Sequence, residues 1–190
     1  MNGTATVVRA FVLLGILLLC GASRAADSQQ EDQNQKNTSA TQNGLGDVAV
    51  TLLADWIIES RDSALAEGSE PVPTEIRSEL AGYVATEILD AVRWRIGGGS
   101  SLSLQLAMFR FGDSPAITLD HVIVFESQAV AEDPRLWVHE LMHVMQFKRW
   151  GVAGFAARYI DDYAALEAEA VEFRWQWMKL TDRLPASSVP

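Results

Sequence analysis

One segment in the carboxyl-terminal half of the chain combines helix boundary signals with two histidines at helical spacing. Asp133 and Pro134 form a typical helix start, because the Asp side chain caps a free backbone N–H and Pro has a helical φ. The helix is expected to end before Gly151. Within it, His139 and His143 are four residues apart, so both imidazoles lie on one face.

The residues from His139 to His143 form an HExxH motif, which is typical of zinc-binding helices. Both imidazoles can bind one Zn²⁺ ion, whereas Glu140 is rotated by about 100° and points beside the ion. Zinc lowers the pKa of a bound water to about 7, and Glu140 is placed to accept its proton. The motif therefore predicts a zinc-dependent peptidase, in which a metal-activated water hydrolyses a peptide bond and Glu140 is the general base.

Two other interpretations of the motif stay open at this point. In the first interpretation the motif binds no metal, and its two histidines are ordinary residues on a solvated helix face. In the second, the zinc ion is bound but no turnover follows, and the protein is a non-catalytic secreted, zinc-stabilised binding or assembly module.

A third metal ligand is expected from the last predicted helix, 162–180. Its helical phase places Glu167 between two apolar groups of side chains, whereas Glu169 borders the polar side. A carboxylate turned towards apolar neighbours needs a cation, and a zinc ion on the two histidines would supply it. Arg174 offers an alternative partner for Glu167 as a structural salt bridge. Helical phase thus favours Glu167 over Glu169 as the third ligand, and the salt bridge to Arg174 stays open at this point.

The charge and cysteine content of the chain exclude several classes of protein. Acidic residues outnumber basic ones by 25 to 15, and the formal net charge is −10. Such a chain has no basic patch for nucleic acid or anionic lipid. A single cysteine, Cys20, permits neither an intramolecular disulfide nor a cysteine-rich zinc cluster.

The amino-terminal segment has the pattern of an export signal. Residues 1–25 contain Arg9, an apolar run too short for a stop-transfer helix, and small residues at Ser23 and Ala25. Cleavage after Ala25 would give a periplasmic or secreted protein with no membrane span. A lipoprotein anchor at Cys20 is less favoured, because Leu19 precedes it. Residues 26–46 are polar and are expected to form a disordered linker.

The remaining chain divides into one domain, 47–182, and a carboxyl-terminal tail, 183–190. Periodicity predicts helices over 47–61 and 74–92, strands over 102–109 and 117–125, and then the motif helix. A short helical turn near 153–160 precedes the last helix. We therefore expect an α+β, zincin-like fold with a small antiparallel or mixed sheet packed against the HExxH helix.

Three stretches of the sequence together resemble a known domain. They are the strand residues Ala116–Leu119 and Ile123–Phe125, the helix residues Trp137–Gln146, and Glu167-Ala168-Glu169-Ala170. This pattern resembles the metallopeptidase domain associated with extracellular contractile injection systems (eCIS), and it covers roughly 116–172. Two histidines and a distant glutamate are also similar to the gluzincin ligand set. The resemblance implies one catalytic Zn²⁺ ion and a peptide or protein substrate. Its E-x-x-A arrangement also decides for Glu167 as the third ligand, so Glu167 is our prediction. Cargo of an injection system would not normally carry an export signal, so the resemblance does not extend to that role.

Other polar and aromatic residues have simpler interpretations. His121 is expected to be an ordinary strand histidine, and the six tryptophans are expected to pack in or near the core. Trp137 lies on the same side of the motif helix as Leu141 and should anchor it. Tyr159 and Tyr163 are candidates for a hydrogen bond to an oxyanion, but packing is the expected role for both.

Overall fold

The structure is a computed structural model that describes residues 30–97 and 114–181, with side chains from residue 46 onward. Its elements, in chain order, are α1 (Gln30–Ala66), β1 (Glu70–Pro71), α2 (Thr74–Leu80), α3 (Thr86–Ala91), β2 (Arg93–Ile96), β3 (Ala116–Leu119), β4 (Val122–Phe125), α4 (Gln128–Ala131) and α5 (Pro134–Leu180). The predicted signal segment, the predicted strand 102–109 and the tail 183–190 lie outside the described residues. The α+β class is confirmed.

The first helix is longer than the sequence pattern predicts. It begins at Gln30, so most of the segment 26–46 is helical, in contrast to the disordered linker that we expect from its composition. The packed part of α1 lies further on, where Ala49, Ile57 and Ala64 are buried. Helix propagation needs no new nucleus once such a segment is anchored, which explains how polar residues before it can continue the helix.

The predicted helix over 74–92 is divided into two short helices and a strand. Helix α2 ends at Leu80 and α3 begins at Thr86, and Gly82 between them has a φ of 80°. Glycine adopts this left-handed conformation without a steric penalty, and it commonly ends helices. Strand β2 then begins at Arg93, where periodicity did not predict a strand.

The sheet is small and mixed, with the strand order β1-β2-β4-β3. Strands β3 and β4 form an antiparallel hairpin, β2 pairs with β4 in parallel, and β1 pairs with β2 antiparallel. The predicted single strand 117–125 is therefore a hairpin, and its turn contains Asp120 with a φ of 59°. The turn is held by an ion pair from Arg61 to Oδ2 of Asp120 at 3.0 Å, and Nδ1 of His121 lies at hydrogen-bond distance, 3.0 Å, from the same oxygen. His121 therefore lies in the hairpin turn and not in a strand as predicted, and among the described residues it does not belong to the group that could hold a metal ion.

Helix α5 begins as predicted and is interrupted twice. Asp133 caps it by accepting a hydrogen bond from the backbone N–H of Arg135, and Pro134 is its first residue. Non-helical dihedral angles at Gly151 and Asp162 divide it into an HExxH segment (134–150), a connecting segment (152–161) and a final segment (163–180). These breaks let the final segment pack against the HExxH segment, and they agree with the predicted helix ends.

The main core lies between the sheet and the side of the HExxH segment that carries Trp137 and Leu141. Both of these side chains are fully buried. The Trp137 ring contacts the rings of Trp94 and Phe125, with centroids 5.6 and 4.8 Å apart, and its Nε1–H donates to the carbonyl of Ala131 at 2.7 Å. The predicted anchoring of the motif helix by Trp137 and Leu141 is therefore confirmed. No helix in the described part of the chain is long and apolar enough to cross a bilayer.

We expect Trp137→Ala to destabilise the fold by about 3–5 kcal/mol, because it leaves a cavity beneath the HExxH segment. Trp56→Ala is the matched control, since Trp56 is 52% exposed, and its effect should stay within about 0.5 kcal/mol. Urea unfolding followed by circular dichroism checks both variants. Equal midpoints for the two variants would contradict this description of the core.

Candidate metal centre

Three side chains from two segments of α5 converge on one point. The Nε2 atoms of His139 and His143 are 3.3 Å apart. The Glu167 carboxylate lies 3.4 Å from His139 Nε2 through Oε2 and 3.2 Å from His143 Nε2 through Oε1. The three residues form a group that could hold a metal ion. The final segment thus brings Glu167, which is 24 positions after His143, to the same point as the two histidines.

The donor set and its spacing fit a divalent metal such as zinc. Two imidazole nitrogens and one carboxylate form the ligand set of many catalytic zinc sites, which keep a further position open. Nitrogens that are each about 2.0–2.1 Å from one tetrahedral ion lie about 3.3 Å from each other. The observed separation of 3.3 Å between the histidine nitrogens has the same value.

The surroundings of His143 and of Glu167 shift the pKa of each group. Burial lowers the pKa of His143, but its hydrogen bond with Glu167 and the nearby charges of Glu140 and Glu167 outweigh this effect and raise the pKa to about 9. Burial alone would raise the pKa of Glu167, but hydrogen bonds and charge from both histidines hold it far below its usual range. Glu167 is therefore ionised at neutral pH, as a metal ligand must be.

Glu140 lies beside this cluster, and a sheet residue holds its carboxylate. The side chain of Glu140 is buried, and the hydroxyl of Thr118 on β3 donates to its Oε2 at 2.7 Å. The same hydroxyl lies 3.2 Å from the Glu140 carbonyl oxygen. One hydroxyl thus links the predicted general base to the strand that neighbours the motif helix.

The cluster opens into a cavity of about 130 Å³. Its polar wall includes His139, Glu140, His143 and Glu167, and its other walls are largely apolar. The residues that complete the lining are Leu53, Ile57, Ser114, Ala116, Ile117, Thr118, Leu119, Phe155, Tyr159 and Tyr163. Helix α1, strand β3 and all three segments of α5 therefore contribute to one cleft.

Both tyrosines considered in the sequence line this cleft. Burial raises the pKa of Tyr159 and of Tyr163, and neighbouring charges raise both further. Both hydroxyls are therefore protonated at neutral pH and can donate hydrogen bonds. The Glu167 carboxylate is among the groups that raise the pKa of Tyr163. Their rings are 4.9 Å apart, so they also pack against each other.

The two rival glutamates of the final segment have different positions. Glu167 contacts the histidines, whereas Glu169 accepts hydrogen bonds from Gln146 at 2.8 Å and from Arg149 at 3.0 Å. Within the described part of the chain, Arg174 forms no ion pair with Glu167. The structure therefore does not contain the salt bridge between Glu167 and Arg174 that the sequence left open.

Sequence reasoning did not assign a role to Thr118 or Gln146. Thr118 is a polar residue within a strand whose other residues are apolar, which is the kind of signal that points to a buried hydrogen bond. Gln146 follows His143 by three residues and therefore lies on the same helix face. It is fully buried, and its Oε1 is 2.8 Å from His143 Nδ1.

The comparison with known families covers the part of the chain that contains the motif. Residues 71–151 match the family model of the eCIS core domain. No curated protein and no solved structure matches the chain. The matched region includes strands β2, β3 and β4 and the HExxH segment, whereas α1 and Glu167 lie outside it. Over 71–151 the chain is therefore similar to eCIS core domains.

Proposed function

We propose that this protein is a zinc-dependent peptidase whose metal ligands are His139, His143 and Glu167. The observation that carries the proposal is the meeting of these three donors with a fourth group, Glu140, at one wall of a cleft. A purely structural zinc site is normally closed by four protein ligands, and it would have no use for a carboxylate that lies beside the ligands without being one of them. The alternative is a non-catalytic, zinc-stabilised binding or assembly module.

Each residue of the site has its own role in the proposed hydrolysis. Zinc, when bound, would polarise the scissile carbonyl and acidify a water molecule in the cleft. Glu140 accepts the proton of that water as it attacks, and then delivers a proton to the leaving amine. Thr118 holds Oε2 of Glu140 by its hydrogen bond, which leaves Oε1 for the proton. The base is therefore oriented before a substrate arrives.

The walls of the cleft suit a peptide substrate. Apolar side chains from α1 and β3 exclude water from the reacting atoms, and this strengthens the electrostatic interactions there. The protonated hydroxyls of Tyr159 and Tyr163 are available to donate to the oxygen on which negative charge develops. Export to the periplasm or the medium, proposed from residues 1–25, would bring the enzyme to extracytoplasmic peptides or proteins.

Glu167→Ala should abolish stoichiometric zinc binding, because it removes the anionic ligand and leaves two histidines alone. Glu169→Ala is the matched control and should still bind one ion at saturating zinc. Metal analysis after gel filtration in a buffer that keeps zinc at the saturating concentration measures this difference. A chelator should lower the melting temperature of the parent chain and of the control but not that of Glu167→Ala, since bound metal stabilises the native state. Retention of zinc by Glu167→Ala with loss in the control would reverse the assignment.

Glu140→Gln should retain zinc and lose hydrolysis by at least about 100-fold in kcat, because the amide cannot accept a proton. Glu126→Gln is the control, since Glu126 is exposed and away from the cleft. Cleavage of an unstructured protein such as casein, followed by mass spectrometry, measures the loss. A parent chain with one zinc ion and no cleavage of any unstructured substrate would favour the binding module.

Thr118→Val should lower kcat by about tenfold with little change in KM, because the base loses the group that orients it. Thr118→Ser keeps the hydroxyl and should retain most of the activity. Zinc content should be the same in both variants and in the parent chain. Equal kcat values for Val and Ser at this position would show that the hydrogen bond to Glu140 has no part in catalysis.

A further inference from the structure

We propose that Gln146 and Glu169 are positioning residues that hold His143 in the tautomer able to bind a metal through Nε2. The inference rests on the proposed metal site and assigns a role to two residues outside it. It follows from a chain of hydrogen bonds that leads from His143 through Gln146 to Glu169 and then to Arg149.

The orientation of the Gln146 amide is determined by its neighbours. Its Nε2 lies 3.1 Å from the carbonyl oxygen of Leu166 and 2.8 Å from Oε2 of Glu169. Both of these atoms are acceptors only, so the nitrogen of the amide must face them and donate to both. The flipped amide would place its oxygen against two other oxygens at a fully buried position. Oε1 must therefore face His143.

This orientation in turn determines which nitrogen of His143 carries the proton. Oε1 of Gln146 can only accept, and it lies 2.8 Å from Nδ1 of His143. Nδ1 must therefore be the donor. In the neutral ring the lone pair is then on Nε2, the atom that faces His139 and Glu167. Gln146 thus prepares His143 as a ligand without contact with the metal position.

The same chain joins the two segments that supply the ligands. Gln146 belongs to the HExxH segment, and both of its acceptors belong to the final segment that carries Glu167. Glu169 is two residues after Glu167, so the hydrogen bond to Glu169 also holds the register of the third ligand. His139 differs from His143, because its buried Nδ1 has no hydrogen-bond partner in the described part of the chain. Positioning through a hydrogen bond at Nδ1 therefore applies to His143.

Replacing Gln146 or Glu169 should weaken zinc binding, although neither residue is a proposed ligand. We expect Gln146→Leu to reduce zinc affinity by about 10- to 100-fold, the usual effect of losing an outer partner of a ligand. Glu169→Leu should reduce it by about tenfold. Competition with a chromogenic chelator measures both affinities. Glu172→Leu, on the exposed side of the same segment, is the control and should bind zinc like the parent chain.

A reciprocal exchange separates positioning from simple packing. In Gln146→Glu the new carboxylate faces Glu169, and zinc affinity should fall. The double variant Gln146→Glu/Glu169→Gln restores a donor between the two positions, but not the hydrogen bond to the Leu166 carbonyl. It should therefore recover part of the affinity, at least tenfold above Gln146→Glu alone. A long-range ¹H–¹⁵N histidine spectrum of the metal-free parent, at a pH where the His143 ring is neutral, should show the proton on Nδ1. The metal-free chain is used because a zinc ion on Nε2 would itself impose this tautomer.

The outcomes distinguish this inference from the metal site itself. Unchanged affinity in Gln146→Leu and Glu169→Leu, or a proton on Nε2 of the neutral His143 ring in the metal-free chain, would overturn the positioning role while the zinc site stands. If Gln146→Leu does not fold, the surface variant Glu169→Leu and the double variant decide the question. A parent chain that binds no zinc would overturn the proposed metal site and the inference with it.

Discussion

The contact between the Glu167 carboxylate and two imidazoles is the interaction on which the functional part of this fold depends. It joins the HExxH segment to the final segment of α5, and both breaks in the helix lie between them. A partly buried carboxylate is stable only with a positive or hydrogen-bonding partner, and the histidines provide it. The breaks at Gly151 and Asp162 make the contact possible, because an uninterrupted helix would carry Glu167 far from His143.

Apolar packing gives this contact its rigid frame. The HExxH segment has one side in the core, through Trp137 and Leu141, and places His139 and His143 on the opposite side. The sheet lies against the core side and also reaches the site, because Thr118 on β3 donates to Glu140. A shift of the helix relative to β3 would therefore break the buried hydrogen bond as well as the packing, and each loss is costly.

Local signals predicted the motif helix well and the smaller elements less well. The Asp133 cap, Pro134 and Gly151 mark features that depend only on nearby backbone groups, and the structure has all three. Helix α2 ends at Leu80, beside Gly82, a signal that periodicity alone overlooked. Strand β2 is only four residues long and pairs in parallel with β4, so tertiary pairing decides its existence.

The sequence by itself determined the spacing of His139, Glu140 and His143, and helical phase favoured Glu167 over Glu169, because helical geometry repeats along one segment. Only the tertiary structure decided that Glu167 meets both histidines, that Thr118 holds Glu140, and that Gln146 bridges to Glu169. These contacts join residues 20 or more positions apart. No local periodicity specifies such distances, since they depend on how separate elements pack around one core.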